Sequence, residues 1–366
     1  DLMKISIILP NLKFGGAERL HLNLAKDWSN RGHEVQFVLM NKDGEFLSLV
    51  PDNVDIVSLK ASRLRSVVLP LVSYFKDFKP DVILAAMWPL TSLTIVAWVL
   101  SGKIGKIFLS EHIHLTSAIT NEIKVSKLYL KLTIFLTYGL SNGIIAVSKG
   151  VRDDLSVVGA IKKNRITVIY NPIVYKHHQM VTQSDRIELW GGESSYNILS
   201  VAKLKLQKDH KTLIRAISLL PKQLNIKLII LGDGELMSEL SLLVKSLNLS
   251  DKVNLHGFVK NPYPWYMSAD LFVLSSQWEG FGNVIVEALE CGLPVVSTDC
   301  PSGPAEILDN GTYGRLVSVG SPSELAAAMV STLKEKHNST VLKRRAQDFS
   351  VSKISKQYLD YFELKN

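Results

Sequence analysis

The stretch that decides the fold of the second half of the chain reads Gln277-Trp278-Glu279-Gly280-Phe281-Gly282-Asn283-Val284-Ile285-Val286-Glu287-Ala288-Leu289. The apolar run before it, Ala269–Leu274, is typical of a buried strand. After it, Val284, Glu287 and Ala288 share one face of a predicted helix. Because a glycine-bearing turn joins strand and helix, the free helix amides and the helix dipole favour an anion there. The carboxylates of Glu279 and Glu287 beside such a site suit a ligand that carries both phosphates and hydroxyls.

The same alternation of strand and helix extends along the chain. The predicted strands are Lys4–Leu9, Glu34–Leu39, Val54–Leu59, Asp81–Ala85, Lys106–Ser110, Gly143–Val147, Ile166–Ile169, Asn197–Val201, Ile226–Leu231, Val253–His256, Leu271–Leu274 and Pro294–Thr298. Strands that alternate with helices predict βαβ units and parallel sheets. The class is therefore α/β.

One polar segment, Lys176–Ser195, breaks the alternation, and we interpret it as a connection between two doubly wound domains. We predict a first domain over residues 1–178 and a second over 192–349, with a helical tail at 350–366 that returns to the first domain. Ligands of such folds bind at the carboxyl ends of the strands, so we expect the site in a cleft between the two domains.

Composition narrows the classes of partner and compartment. The 366 residues carry a net charge of +8, which favours acidic partners such as phosphorylated ligands or anionic membranes. Only two cysteines occur, so a disulfide scaffold is not expected. Met3 leads directly into an apolar strand without a signal-peptide pattern, and the apolar stretch Leu84–Leu100 is short for a membrane span. We expect a cytoplasmic protein.

Two motifs of the first half follow predicted strands. Gly15 and Gly16 open a predicted helix and allow close backbone approach to a ligand, although an ordinary turn has the same pattern. Their spacing is not that of a dinucleotide fingerprint. His112 and His114 follow the strand Lys106–Ser110, and either is a candidate to contact a sugar or a reacting hydroxyl. A purely structural histidine is the alternative.

The second half adds cations and glycines at its strand ends. Lys203 and Lys208 follow the strand Asn197–Val201, where they can neutralise a diphosphate unless they are merely solvated. Gly232 and Gly234 follow the next strand and fit either a ligand site or a tight turn. Nothing matches a nucleophile elbow, a zinc-protease helix, a Walker loop or a metal-binding Asp-x-Asp pair. We therefore expect no metal, with lysines and helix termini carrying the phosphate charge.

Taken together, these motifs make the chain resemble the retaining glycosyltransferases of the GT-B fold, in particular family 4. Glu279 and Glu287 match the family's E-x7-E element, and Gly15-Gly16 match its amino-terminal glycine loop. Its arginine–lysine phosphate pair is matched by Lys203 and Lys208. Lysine at the first of these positions keeps the charge but lacks the bidentate fork of arginine.

The resemblance implies two Rossmann-like domains and a role for each matching residue. Glu287 would bind the ribose hydroxyls, and Glu279 the donor-sugar hydroxyls. Lys203 and Lys208 would bind the diphosphate, and His112 would lie on the acceptor side. The remaining contacts to the donor would come from the backbone of Val259, Phe281, Gly282, Asn283 and Val284. A departing phosphate oxygen would accept the proton of the acceptor, so no separate base or cofactor is needed.

The resemblance also implies a UDP-sugar donor of a hexose or N-acetylhexosamine and the formation of an α-glycosidic bond. The segment Glu122–Phe135 mixes lysines with apolar residues, which is typical of helices on anionic membranes and also of core helices with a basic edge. We expect a lipid-linked or lipopolysaccharide-type acceptor and peripheral association with the inner membrane. The alternatives are a GT-B sugar-nucleotide epimerase and a non-enzymatic sugar-binding protein; nucleic-acid binding is not expected.

Overall fold

The computed structural model of the protein describes residues 2–173 and 179–364. The chain divides into two compact units, Asp1–Val174 with Phe349–Asn366 and Tyr175–Asp348. The predicted domain end at residue 178, the start of the predicted connection at Lys176 and the last two residues of the predicted tail lie outside the described residues. No helix in the described part of the chain is both long and apolar enough to cross a bilayer.

The strands of the described residues are β1 Lys4–Leu9, β2 Glu34–Leu39, β3 Asp55–Ser58, β4 Val82–Ala86, β5 Lys106–Glu111, β6 Gly143–Ala146, β7 Ile166–Val168, β8 Tyr196–Val201, β9 Ile226–Leu231, β10 Val253–Gly257, β11 Leu271–Leu274, β12 Val295–Thr298 and β13 Arg315–Val317. Most predicted strands are confirmed within one or two residues at each end. The central ones are buried on both faces, which explains why they read as continuous apolar runs.

The α-helices are α1 Gly16–Asn30, α2 Val68–Phe78, α3 Leu90–Leu100, α4 Leu115–Asn121, α5 Lys127–Thr137, α6 Lys149–Gly159, α7 Gln183–Trp190, α8 His210–Ser218, α9 Met237–Ser246, α10 Tyr263–Ser268, α11 Asn283–Glu290, α12 Pro304–Ile307, α13 Pro322–Lys334, α14 Ser339–Gln347 and α15 Val351–Leu364. The apolar stretch Leu84–Leu100, which is short for a membrane span, is thus the end of β4, a turn and α3.

Each unit contains one twisted parallel sheet. In the first unit the strand order is β3-β2-β1-β4-β5-β6-β7, and in the second it is β10-β9-β8-β11-β12-β13. In both, the first strand of the unit lies inside the sheet. Later strands are added on one side of it and then on the other, so the strand order switches between β1 and β4 and between β8 and β11, which pair in parallel. The loops at the carboxyl ends of these neighbouring strands are where such sheets bind ligands.

The last helix, α15, belongs to the first unit, as predicted for the returning tail. The indole of Trp28 on α1 packs edge-on against Tyr358 and Phe362 of α15, with ring centroids 6.0 and 5.7 Å away. The Ser355 hydroxyl also donates to a carboxylate oxygen of Asp27 at 2.5 Å. Burial of these aromatic rings explains why the end of the chain is held on α1.

The interpretation of Lys176–Ser195 as a connection was wrong for its described part. Residues 183–190 form α7 within the second unit, which therefore begins before residue 192. Thr182 and Asp185 form a reciprocal capping box that stabilises the first turn. The helix ends with buried Trp190, whose Nε1 donates to Ser268 Oγ at 2.9 Å. These interactions stabilise a helix whose sequence is largely polar.

Candidate functional site

The quoted stretch begins in the loop from β11 to α11 and continues into α11, and two glycines, one in this loop and one after β12, determine the shape of the loop. Gly282 is the N-cap of α11 with φ of +107°, a conformation that strongly favours glycine. A Cβ at Gly303 would lie only 1.8 Å from the carbonyl oxygen of Phe281, so the loop after β12 packs directly on this backbone. The amides at the start of α11 are therefore presented by a tightly packed loop.

Glu279 lies in this loop with a largely buried carboxylate. Its side chain is 8% exposed, and Oε1 accepts hydrogen bonds from Lys208 Nζ and Ser276 Oγ, both at 2.6 Å. Its backbone N–H donates to Pro301 O at 2.9 Å. A buried carboxylate with a cation and a hydroxyl on one oxygen is held in a single orientation.

The loop after β8 brings Lys208 to Glu279. Its residue Gln207 exchanges hydrogen bonds with the β11 loop: Nε2 donates to Trp278 O, and its carbonyl accepts from Gln277 N, both at 2.8 Å. Ser275 Oγ also donates to the Lys208 carbonyl at 2.9 Å. The predicted cation Lys208 is thus already paired with the predicted sugar-binding carboxylate.

Lys203 is exposed on the same loop. Beneath it, Gly232 and Gly234 approach the backbone so closely that a Cβ would lie 1.9 Å from Ala202 O and 2.4 Å from Leu204 O. The two glycines therefore support the loop that carries both lysines. The sequence predicted either a ligand site or a tight turn for these glycines. Their close packing against the loop after β8 is a further role that neither prediction included.

Glu287 lies half-buried in the middle of α11. Its Oε2 accepts a hydrogen bond from Tyr266 Oη on α10 at 2.9 Å. The sequence interpretation missed Tyr266, because α10 carries no motif that marks it. Val259 is half-buried beyond the irregular end of β10, while Phe281 is buried and Asn283 and Val284 are half-buried at the start of α11.

The predicted glycine loop of the first unit precedes α1. Gly15 is the N-cap of this helix in an extended conformation. Phe14 stacks on Phe46 with ring centroids 4.9 Å apart, and the Arg19 guanidinium lies over both rings at 5.4 and 5.3 Å. The loop is therefore anchored from its own helix and from the chain after β2.

His112 lies buried just after β5. Its Nε2 is 2.5 Å from Ser110 Oγ, and its ring meets that of His21 edge-on with centroids 5.1 Å apart. Burial, together with His21, holds the pKa of His112 well below its ordinary value, so the imidazole is neutral near pH 7. Its Nδ1 has no hydrogen-bond partner within the described residues.

His21 was not identified from the sequence. It lies on the buried face of α1, and its Nδ1 is 2.7 Å from Ala17 O. Burial lowers the pKa of His21 to about 4. The only sequence signal was a histidine on the apolar face of the helix that follows Gly15-Gly16, and a core histidine has the same pattern.

His114, the alternative site histidine, has a structural task in this fold. It is the N-cap of α4, and its Nδ1 accepts from Ser117 N at 3.3 Å and lies 2.8 Å from Ser117 Oγ. Its Nε2 lies 3.7 Å from Asp154 Oδ1. Both ring nitrogens thus face protein groups, whereas His112 keeps one nitrogen without such a partner.

A buried carboxyl, Glu111, precedes His112 and was also missed. It accepts a hydrogen bond from the Tyr138 hydroxyl, which lies 2.6 Å from Thr91 Oγ1. Burial raises the pKa of Glu111 to about 7, although the hydrogen bond from Tyr138 opposes this shift. Near pH 7 the end of β5 therefore presents a neutral imidazole, His112, beside a carboxyl group that is only partly ionised.

Comparison with known proteins assigns both halves of the chain to glycosyltransferase families. Residues 14–176 match the family described as Glycosyltransferase Family 4, and residues 186–349 match Glycosyl transferases group 1. The two matches together span most of the chain. The amino-terminal half of the chain thus belongs to Glycosyltransferase Family 4 and the carboxy-terminal half to Glycosyl transferases group 1, and the chain has the GT-B fold that the sequence resemblance predicted.

Relatives and a solved structure extend the comparison. The N-acetylgalactosamine-N,N'-diacetylbacillosaminyl-diphospho-undecaprenol 4-alpha-N-acetylgalactosaminyltransferase of Campylobacter jejuni is 35% identical over 63% of this chain and 62% of its own length. The GalNAc-alpha-(1->4)-GalNAc-alpha-(1->3)-diNAcBac-PP-undecaprenol alpha-1,4-N-acetyl-D-galactosaminyltransferase of the same organism is 28% identical over all of both chains. Anabaena HepE, solved with UDP, has a TM-score of 0.83 at 23% identity and covers 99% of this chain and 100% of its own.

Proposed function

We propose that this protein is a retaining glycosyltransferase that moves a hexose or N-acetylhexosamine from a UDP-sugar to a membrane-associated glycan or polyprenyl-diphosphate-linked acceptor, forming an α-glycosidic bond. The observation that carries the proposal is the buried Glu279 carboxylate, fixed by Lys208 and Ser276 at the carboxyl end of β11. A carboxylate in one orientation beside the N-terminus of α11 can bind sugar hydroxyls and a phosphate side by side.

Each proposed donor contact has a chemical reason. Glu279 binds sugar hydroxyls near the reacting carbon, and Glu287 binds the ribose hydroxyls. Lys208 and exposed Lys203 neutralise the diphosphate, on which negative charge develops as the bond to the sugar breaks. The amides of Phe281 to Val284 support the sugar and the distal phosphate, while Val259 meets the base. In the first unit, Gly15 and Gly16 allow the backbone to approach a ligand closely.

The proposed reaction needs no conventional base. The acceptor hydroxyl attacks the anomeric carbon from the face that the diphosphate leaves, and the departing phosphate oxygen takes its proton. His112, neutral and with Nδ1 unoccupied by protein groups, binds a hydroxyl on the acceptor side. In this proposal the lysines carry the electrostatic task. The described residues contain no cluster of three or more His, Cys, Asp or Glu that could hold a metal ion.

The acceptor side of the proposal rests on α5. Five apolar side chains of this helix are exposed: Leu128, Tyr129, Leu132, Phe135 and Leu136. The exposed lysines Lys127 and Lys131 flank them. An apolar strip with a basic edge matches the boundary between acyl chains and anionic headgroups. Both Campylobacter relatives are named for undecaprenol-linked glycans, which supports a lipid-linked acceptor and a place on the cytoplasmic side of the inner membrane.

The decisive experiment measures nucleotide release from a panel of UDP-sugars, with and without extracted lipid-linked acceptor. We expect release that depends on the acceptor, with an α-linked product. Epimerisation of the sugar nucleotide without any acceptor would instead identify an epimerase. Glu279→Gln should lower the acceptor-dependent rate about 100-fold, because a buried charge that binds substrate is removed.

Glu290→Gln is the matched control for Glu279→Gln. Glu290 is as buried as Glu279, since 5% and 6% of the whole residues are exposed, respectively. It lies at the far end of α11. We expect this variant to retain acceptor-dependent turnover within about threefold of the wild type. An amide at the far end of α11 leaves the groups of the proposed site unchanged. Equal losses in both variants would mean that Glu279 matters for packing only.

Liposome flotation tests the membrane part of the proposal. The protein should float with anionic vesicles, and Phe135→Ser with Leu136→Ser should abolish flotation because apolar area drives insertion. Leu242→Ser on α9 is the control, since Leu242 is 66% exposed but lies in the second unit. A wild-type protein that stays in solution would contradict peripheral association, while the proposal for the donor site would stand.

A further inference from the structure

Two tyrosines of α10 reach two glutamates of α11. Tyr266 Oη lies 2.9 Å from Glu287 Oε2, and Tyr263 Oη lies 3.1 Å from Glu290 Oε2. We propose that Tyr266 is a positioning residue that orients the Glu287 carboxylate toward the ribose of the donor and so sets the preference for ribose over 2′-deoxyribose. The inference rests on the proposed ribose-binding role of Glu287.

Tyr266 is held rigidly enough to orient another side chain. It is 1% exposed, and its ring packs on Phe272 of β11 and on Tyr263, with centroids 5.6 and 5.8 Å away. Its hydroxyl also approaches Val284 O at a longer 3.4 Å. Because the sheet and α10 fix the ring, the direction of the O–H group is fixed as well.

The tyrosine acts as the donor of this hydrogen bond. Burial, and then the neighbouring Glu287 carboxylate, raise the pKa of Tyr266 well above its ordinary value of 10. The phenol therefore keeps its proton across the physiological range and donates a hydrogen bond to Glu287 Oε2. A hydrogen bond to an ionised acceptor is stronger than one between neutral groups.

Glu287 gains most from such a partner. A glutamate side chain has three rotatable bonds, and ordering it when a ligand binds costs conformational entropy. A carboxylate has about four acceptor positions, of which the Tyr266 hydroxyl uses one. With the carboxylate already oriented, the two neighbouring hydroxyls of a ribose can donate to it without that cost, and a 2′-deoxyribose loses one of the two bonds.

The test compares the affinities of the full-length protein for UDP and for 2′-deoxy-UDP by calorimetry. In the wild type, loss of one hydroxyl–carboxylate bond should weaken binding on the order of 10-fold. Tyr266→Phe keeps the ring and removes only the hydroxyl. We expect it to reduce this discrimination at least about threefold, chiefly by weakening the binding of UDP itself.

Tyr263→Phe is the matched control, since it makes the same change on the same helix in the tyrosine that reaches Glu290. It should keep the wild-type discrimination. An unchanged ratio in Tyr266→Phe overturns the inference. Equal reductions in both variants also overturn it, because the Glu287 charge acts on Tyr263 as well and the effect would then not be specific to Tyr266. Retained near-ultraviolet circular dichroism verifies that both variants are folded.

A double variant separates positioning from packing. In a Glu287→Ala background, Tyr266→Phe should leave the remaining discrimination unchanged, because the tyrosine then has no carboxylate to orient. A further loss in that background overturns the inference. A wild type that binds UDP without discriminating its ribose would instead contradict the proposed role of Glu287. If the wild type binds another nucleoside diphosphate in place of UDP, the same ratio of affinities is measured for that nucleotide and its 2′-deoxy form.

Discussion

The candidate site residues of the two units are held in opposite ways. In the second unit, Glu279 is fixed by a charged partner and a hydroxyl, and its ion pair with Lys208 is largely buried. In the first unit, His112 is neutral, and its Nδ1 meets no hydrogen-bond partner in the described part of the chain. The difference suggests a double role in the second unit: Glu279 and Lys208 contribute to the packing of that unit and also form its proposed site. In the first unit the proposed functional atom contributes little to the fold.

The largest expected effect comes from breaking the pair in the second unit. Lys208→Met removes the cation and leaves the Glu279 carboxylate buried. Among the described residues, Ser276 is then its one remaining side-chain donor. Loss of one partner of a buried ion pair should cost about 2 kcal/mol of stability, and loss of charge at the diphosphate should lower turnover about 100-fold. Thermal unfolding and steady-state kinetics measure the two effects on the same preparation.

Lys211→Met is the control for this coupling of stability and activity. Lys211 also pairs with a glutamate, at 2.5 Å from Glu239 Oε1, but the two side chains are 38% and 53% exposed. Such a surface pair is worth less than about 1 kcal/mol, so both stability and turnover should stay near wild type. Should Lys208→Met lose activity at unchanged stability, the proposed double role of the buried pair would be wrong.

The first unit should show the opposite behaviour. His112→Leu replaces a buried neutral imidazole with an apolar side chain of similar size. We expect turnover to fall about tenfold, the value of one hydrogen bond to a substrate hydroxyl, while stability changes by no more than about 1 kcal/mol. Kinetics at varied acceptor concentration, together with thermal unfolding, measure both quantities.

His114→Leu sharpens the choice between the two histidines. This change removes the N-cap interaction with Ser117 and should cost about 1 kcal/mol of stability. We expect turnover to remain within about twofold of the wild type, since a cap bond does not reach the substrate. A large loss of turnover in this variant, with activity retained in His112→Leu, would assign the site to His114 instead.

The sequence was sufficient for the fold because buried parallel strands are continuous apolar runs, as in Val82–Ala86. It was also sufficient to locate Glu279 and Lys208 at strand ends, since loop position follows from the order of the elements. Their pairing was not predictable, because they lie 71 residues apart in the chain. Tyr266 and His21 were missed for a related reason: each lies on a helix face and acquires meaning only from a partner on another element. The helix α7 was missed because buried Trp190 finds Ser268 only in the folded unit.

The last prediction concerns the buried carboxyl beside His112 and the pH dependence of stability. The pKa of Glu111 is raised from 4.5 to about 7 by burial, and Asp154 adds to the shift. Between these values the folded protein keeps a proton that the unfolded chain has released. The stabilising contribution of protonated Glu111 is therefore complete below pH 4.5 and is lost as the pH rises to about 7. His21, whose pKa is lowered to about 4, has the opposite dependence, losing stability as the pH falls from 6.5.

Glu111→Gln isolates this contribution because the amide cannot ionise, while His21 is unchanged and cancels in the comparison. Relative to wild type, the variant should gain about 2 kcal/mol of stability between pH 5 and pH 8, measured as the difference in unfolding midpoints at each pH. Tyr138→Phe removes the hydrogen bond that opposes the shift, so its stability should fall further than that of the wild type over the same rise in pH. A difference between Glu111→Gln and wild type that is constant with pH would mean that Glu111 is ionised in the folded protein. The end of β5 would then carry a buried negative charge, and the contrast with the charged site of the second unit would disappear.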